Sequence, residues 1–568
     1  MTSFGYPPAA RPPQAPLSYY GAVTTPSDSL PARAAALTLL LAGLATAQLQ
    51  EISGERLRAH VKFLASDLLE GRAPGTRGDK LTTAYLAAQF ALVGAKPAAE
   101  QGSYFQQVPL VGVEPQPESE LTIRGKGRRQ SLKWLGEFVG TNQRQTPLDQ
   151  FEAEAVFVGH GITAPEFSWD DFKGEDVRGK VLVLFTNEPA SEDANFFGGR
   201  ALTYYGRWTY KYEEALRRGA LGVLIIHTTP TAGYGWNVVQ TSWGREQPFV
   251  KLGPSEPALV LAGWISMEAG EKLLQLAGHR VADLLKATES RDFRPIPLKL
   301  RVRARMVSKI RELDTSNVAA IIPGSDPELA SQAVIFSAHW DHLGMGAPVN
   351  GDAIYNGAVD NATGCAILVE IARAWAALQQ KPRRSALFLA VTAEEGRLRG
   401  SEYYAQHPII PPGNTALGLN FDAFYPFGRT RDVVTGGAER TTAYALVEQV
   451  ARRMDLEVKP DPRPEQGSFY RSDHFPLAKA GIPAFSVKAG TGFLGKPPEA
   501  GDEIFRQFNT RHYHQPSDEY REDWDFSGME QVARFGFLLG LEAANLEELP
   551  TWKPGDEFLP AREKSGVP

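Results

Sequence analysis

The chain of 568 residues contains a single cysteine, Cys365. One cysteine closes no intramolecular disulfide and builds no cysteine-ligated zinc site. Any metal must therefore be held by His, Asp and Glu. Histidine is scarce too: there are ten, six of them at or after His339. Basic charge is not in excess, since 60 Lys and Arg stand against 66 Asp and Glu for a formal net charge of −6. Nucleic-acid binding thus has no electrostatic footprint. No apolar run reaches the roughly 20 residues that span a bilayer, so no stable membrane insertion is expected. Gly-x-Ser-x-Gly and His-Glu-x-x-His are absent, and Gly198-Gly199 lacks the strand-to-helix setting of a phosphate loop. What remains is ordinary globular composition, 43% hydrophobic and 22% charged, in a chain long enough for several domains.

Residues 6–29 are rich in Pro, Ala and Ser and read as disordered. Arg33, the apolar run 34–44 and Ala45-Thr46-Ala47 follow the order of a signal peptide cleaved near Gln48. They predict a secreted or periplasmic protein, and their distance from Met1 fits a start codon assigned too early. The other reading of the run is a buried or interfacial helix. Leu57, Val61, Leu64, Leu68 and Leu69 then recur at helical spacing until Gly71-Arg72-Ala73-Pro74-Gly75 breaks the pattern. A second helix is predicted over 80–92. Between about 108 and 300 short β-type runs appear at 153–158, 181–185 and 221–227, with a helix over 212–218. From Ala319 onward, strands at 333–338, 386–391, 418–421 and 483–487 alternate with helices at 363–378, 441–454 and 529–546. That alternation predicts an α/β fold with a mostly parallel central sheet flanked by helices.

In such sheets ligands bind outside the carboxyl ends of the strands. His339, Asp341 and His342 follow the first of these strands, Glu394 and Glu395 the second, and Asp422 the third. Asp360 lies in the loop before the helix at 363. Carboxylates converging on one edge repel unless a cation is bound. His339-x-Asp341 suits a metal ligand with its ring held by a carboxylate, or equally a surface polar pair. Adjacent Glu394 and Glu395 suit a proton acceptor beside a metal ligand, or a solvated pair. Cys365 reads as a small buried hydrophobe.

His339-Trp340-Asp341-His342, the loop Asn356-Gly357-Ala358-Val359-Asp360-Asn361-Ala362-Thr363-Gly364, Thr392-Ala393-Glu394-Glu395-Gly396, Asn420-Phe421-Asp422 and Tyr513-His514 occur in that order. Together they resemble the co-catalytic dinuclear-zinc exopeptidases, the group of secreted bacterial aminopeptidases and glutamate carboxypeptidase II. Residues near 140–290 resemble a protease-associated domain. The segment Leu64-Ala65-Ser66-Asp67-Leu68-Leu69-Glu70-Gly71-Arg72 is similar to the start of family members that carry that insert. The resemblance implies a zinc exopeptidase fold (phosphorylase/hydrolase-like) with an inserted smaller β-rich domain. The division it implies is an N-terminal segment with signal peptide at 1–47, peptidase domain at 48–115 and 306–568, and insert at 116–305.

It further implies two Zn2+ ions per chain. His339 and Asp422 would hold one and Glu395 and His514 the other. Asp360 would bridge them, its bond to Asn361 cis, and a hydroxide would complete the bridge. Glu394 would be the general base, Asp341 would orient His339, and Tyr513 would stabilise the oxyanion unless it merely packs. His514 fits the family position better than His342, His474 or His512. Arg471, Ser472, Asp473 and His474 would line the substrate pocket. The implied activity is hydrolysis of the N-terminal peptide bond of peptides. A carboxypeptidase or dipeptidase, a glutaminyl cyclase, and an inactive binding protein on the same fold are the alternatives.

Overall fold

The computed structural model describes residues 51–232 and 235–566. The predicted signal peptide lies outside the described residues. The strands Ala333–His339 and Ser385–Val391 are buried at every position, as are Thr415–Asn420 and Ala484–Ser486. Uninterrupted burial is what a sheet covered on both faces demands. These four pair in parallel, in the spatial order 484–486, 415–420, 333–339, 385–391. Their register aligns the carboxyl ends: His339 lies opposite Val391, Ser337 opposite Asn420, and Asn420 opposite Ser486. The segments that leave these strands therefore emerge along one edge.

Helices cover one face at Gly54–Leu64, Thr363–Ala376 and Ser527–Asn545. Trp375 packs edge-on to Phe336 from the sheet and to Phe537 from the last of these helices. The opposite face is closed by Tyr404, Leu477 and Ile482 against Ile335, Leu387 and Leu389. The first predicted helix is shorter than its pattern suggested. It ends at Leu64, and Leu68 sits in a 3-10 turn with 53% of its surface exposed. The second helix begins earlier, at Arg77, capped by Thr76, whose hydroxyl accepts from the Asp79 N–H.

The largest element outside the sequence expectations is the strand Ile296–Ile322. Leu298, Leu300, Val302, Ala304 and Met306 are buried while Lys299, Arg301 and Arg303 face outward, the alternation of a half-covered strand. Its first half pairs antiparallel with Leu148–Phe157 and Glu120–Gly125. Its second half pairs with Phe105–Pro115 and with Ser385–Val391. The expected boundary at 305/306 thus falls inside one continuous strand. The 116–305 region nonetheless carries apolar clusters of its own, around the parallel strands Val181–Phe185, Gly222–Ile226 and Leu261–Ile265. A further cluster spans both regions: Phe197, Tyr204 and Tyr210 pack with Tyr470, Phe475 and Trp552.

Candidate metal centre

The ends of three strands and the segments just past them deliver polar groups to the shared edge. His339 closes its strand and is 1% exposed. Its Nε2 lies 3.2 Å from Asp360 Oδ1 and 3.4 Å from Asp422 Oδ1. His514 Nε2 lies 3.4 Å from Asp360 Oδ2 and 3.0 Å from Glu395 Oε2. The two oxygens of Asp360 thus face two different imidazoles. Glu394 Oε2 stands 4.0 Å from His339 Nε2. The peptide between Asp360 and Asn361 is cis.

A set of buried, hydrogen-bonded contacts fixes these positions. The Asp518 carboxylate accepts from the N–H groups of Val359 and Asp360 at 3.0 and 3.1 Å. Asn361 donates to Phe421 O and accepts from Ala423 N–H, tying the Asp360 loop to the Asp422 loop. Asn361 is fully buried, so the sequon formed with Thr363 offers no glycan acceptor. Gly364 sits where a Cβ would run into Phe421 O. Arg72, 1% exposed, donates to the carbonyls of Trp340, Asn356 and Gly357 at 2.8, 2.6 and 2.9 Å.

Asp341 lies two residues past His339, beyond the strand end. Its Oδ1 is 3.7 Å from His339 Nδ1, while its two oxygens accept from the N–H groups of Glu394 and Glu395 at 3.0 and 3.3 Å. It therefore seats the Glu394-Glu395 turn as well as facing the imidazole. Ser472 donates to Asp422 Oδ2 at 2.6 Å and receives Asn420 Nδ2 at 2.7 Å. Asp422 is thereby left with Oδ1 turned to His339.

The other expected residues separate. Arg471, Ser472, His474 and Tyr513 line a cavity of about 1710 Å³ that also takes in Asp360, Glu394 and Asp422. Asp473 is not among its lining residues; it is fully buried and accepts from Ser401 Oγ at 2.6 Å. Tyr513 is 45% exposed and stacks on His514 with ring centroids 3.8 Å apart. His512 turns away, its Nδ1 3.0 Å from Ser517 Oγ. His342 is buried with Nδ1 2.7 Å from Glu395 Oε1, so Glu395 turns one oxygen to His342 and the other to His514. Cys365 is buried and donates to His339 O at 3.2 Å.

Electrostatics separate the two adjacent glutamates. Burial, reinforced by Asp422, Asp473 and Glu395, pushes the Glu394 carboxyl well above the usual range. Burial acts on Glu395 too, but His514 and His342 outweigh it and hold the carboxyl low. For His339 burial disfavours charge, yet Glu394, Asp341, Asp360 and Asp422 raise its pKa well above normal. His514 rises to about 10, Glu395 and Asp360 overriding burial.

This donor set fits a pair of divalent cations. His339, Glu394 and Asp422 form one group of donor atoms within 4.8 Å of one another, and His342, Asp360 and Glu395 form another. His514 Nε2 is buried, lacks a hydrogen-bond partner and points at the carboxylates of the second group. Imidazole and carboxylate together are the ligand chemistry of zinc where cysteine is missing.

A parallel sheet with imidazoles and carboxylates gathered at its carboxyl edge is an arrangement suited to hydrolytic metal chemistry. Residues 317–535 match the profile of peptidase family M28. Solved structures resemble the chain over nearly all of its length. An aminopeptidase from Aneurinibacillus sp. strain AM-1 is 20% identical, with a TM-score of 0.50 over 89% of this chain and 98% of that one. A zinc aminopeptidase from Bacillus subtilis is 16% identical, at TM-score 0.42 over 89% and 97%. A peptidase M28 precursor from Shewanella amazonensis is 16% identical, at 0.43 over 90% and 99%. The first of these shares the fold.

Arg72, Asp518 and the contact of His342 with Glu395 were not assigned roles from sequence. The only local signal was for Asp518, an acidic residue shortly after His514.

Proposed function

We propose that the chain is an aminopeptidase that holds two zinc ions and hydrolyses the N-terminal bond of peptides. The observation that carries this reading is the disposition of Asp360, whose Oδ1 faces His339 and whose Oδ2 faces His514. His339 and Asp422 would hold one ion, Glu395 and His514 the other, with Asp360 between them. Zinc so bound supplies Lewis acidity for the scissile carbonyl and an acidified water as nucleophile. Glu394, whose Oε2 stands 4.0 Å from His339 Nε2, would take a proton from the attacking water on its carboxylate and return it to the leaving amine. Tyr513, at the cavity wall beside His514, donates to the developing oxyanion. Asp341 holds the glutamate turn and faces His339. The Aneurinibacillus structure that shares the fold is that of an aminopeptidase, which supports the activity proposed.

A second reading, carboxypeptidase or dipeptidase, draws on Lys488 and Arg471, cations of the cavity wall suited to a terminal carboxylate. We also infer that 116–305 is an inserted protease-associated-like domain, supported by its separate apolar clusters. Export is inferred from the 33–47 segment alone.

Aminoacyl-p-nitroanilides and their N-acetylated counterparts, tested as purified, after chelation and after zinc is restored, check the reading. Zinc-dependent cleavage of free-amine substrates alone, with two zinc ions per chain, is expected. Cleavage that requires a free carboxylate terminus would favour the second reading.

A further inference from the structure

Seven residues, 392–398, carry Glu394 and Glu395 and connect the strand Ser385–Val391 to the helix Arg399–Gln406. Their backbone is not one that the local sequence favours. Ala393, Arg397 and Leu398 have φ of 52°, 80° and 63°, left-handed values that non-glycine residues hold only where surrounding contacts impose them. Inside the segment, the Arg397 and Leu398 N–H groups donate to Glu394 O at 2.8 and 2.9 Å. Any shift at 397 is therefore passed directly to Glu394. Asp341 secures one side of the turn, as described.

The other side is secured from the 116–305 region. The Arg397 guanidinium lies 4.2 Å from the ring centroid of Trp243, 4.8 Å from that of Trp208 and 5.8 Å from that of Phe249. Among the described residues it forms no ion pair. The aromatic faces offset the cost of burying this charge beside Arg399 and Arg245. Two further contacts lie alongside. Arg399 donates to Pro248 O at 3.2 Å and stands over Phe249 at 5.1 Å. Gly396 is the one residue type that fits there, because a Cβ would overlap the Pro248 ring.

We propose that Arg397, seated in the aromatic box of Trp208, Trp243 and Phe249, is a positioning residue through which the 116–305 region fixes the Glu394-Glu395 turn for catalysis. The Arg397 side chain is neither one of the donor groups nor part of the cavity lining; it acts through its own backbone bond to Glu394. The inference rests on the assignment of Glu394 as general base, and its test separates the two.

The zinc-loaded full chain is compared with Arg397→Ala, Arg397→Met and Arg397→Lys. The measurements are kcat and KM on an aminoacyl-p-nitroanilide, zinc per chain, and amide hydrogen exchange across 392–400. Arg397→Ala and Arg397→Met should lose about 10- to 100-fold in kcat, the scale of a small misplacement of a catalytic group. KM should stay within about twofold and zinc content should not change. Exchange across 392–400 should accelerate in both, and Arg397→Lys, which keeps a cation in the box, should restore most of the rate. A kcat for Arg397→Ala within twofold of the parent overturns the proposal, as does Arg397→Met behaving like the parent. So does a loss of kcat that only tracks lost zinc. The exchange readout needs no substrate. An inactive parent enzyme sinks the functional reading, whereas unchanged exchange in Arg397→Ala sinks the positioning role alone. Should Arg397→Ala not fold, Trp243→Phe replaces it: faster exchange with a lower kcat supports the role, and neither change removes it.

Discussion

Glu394 and Glu395 are neighbours in sequence with opposite proton affinities. Glu395 has an imidazole against each oxygen, His342 on one and His514 on the other, so its charged form is held. Glu394 faces one imidazole at 4.0 Å and a field of carboxylates, so its charge is resisted. Glu394, with one imidazole at 4.0 Å, is placed to carry a proton, whereas Glu395, with an imidazole at each oxygen, is placed to hold a cation. Glu394→Gln, nearly identical in shape, should therefore lower kcat by about 10²- to 10⁴-fold with zinc content unchanged. Steady-state kinetics beside a zinc count check this. Loss of zinc along with rate would assign Glu394 to metal binding instead. Taken alone, the pair reads more readily as a solvated one. What made the residues legible was their place after an apolar strand, in company with His339 and Asp422. Arg72 was not legible, since the carbonyl of Trp340 that it serves is 268 residues away in the chain. Arg397 was not either, because nothing local to it announces the rings it meets.

At the scale of elements, periodicity found what depends on one buried face. The strands 333–338 and 386–391 were read within a residue of their ends, because parallel strands buried on both sides are unbroken apolar runs. The strand Ile296–Ile322 was missed although Leu298, Leu300, Val302, Ala304 and Met306 alternate plainly. Its polar partners are arginines and lysines, which mask an apolar run. Elements also carry stability that sequence does not announce. Asp79, in the first turn of Arg77–Leu92, is 1% exposed; one oxygen accepts from Gly75 N–H at 2.8 Å and the other has no partner. Burial pushes its carboxyl up to about 6, against the pull of Gly75 and Thr315. Its folded pKa is thus above the unfolded value near 3.9. The folded state binds the proton more tightly, so the stability is full below about pH 4 and lost as pH rises through 6. Asp79→Asn should stabilise the protein at pH 7.5 relative to the parent by about 2 kcal/mol, and lose that advantage near pH 4. Paired denaturant titrations at the two pH values decide it. Equal effects at both would mean that Asp79 is not held protonated.

Across the whole molecule, the cavity is built jointly by the peptidase part and the 116–305 region. Asp360, Glu394 and Asp422 are on its floor, while Phe167, Leu202 and Tyr205 come from the other region. Leu202 is a point of closure. Its N–H donates to Pro464 O at 3.1 Å, and its side chain packs where a Cβ at Gly467 would meet it. If the cavity takes the end of a peptide, as proposed, this wall would limit how much chain can follow it. Leu202→Ala would thin that wall without touching Glu394 or the donor set. For peptides of two or three residues kcat/KM should stay within about twofold of the parent, because the wall contributes nothing to their transition state. For peptides of ten or more residues it should rise about threefold or more, since less of the chain is excluded. Competition between a short and a long substrate in one reaction measures the ratio directly. A ratio equal to the parent's would remove Leu202 from substrate selection and leave the contacts of Arg397, Arg399 and Gly396 as links between the 116–305 region and the catalytic turn.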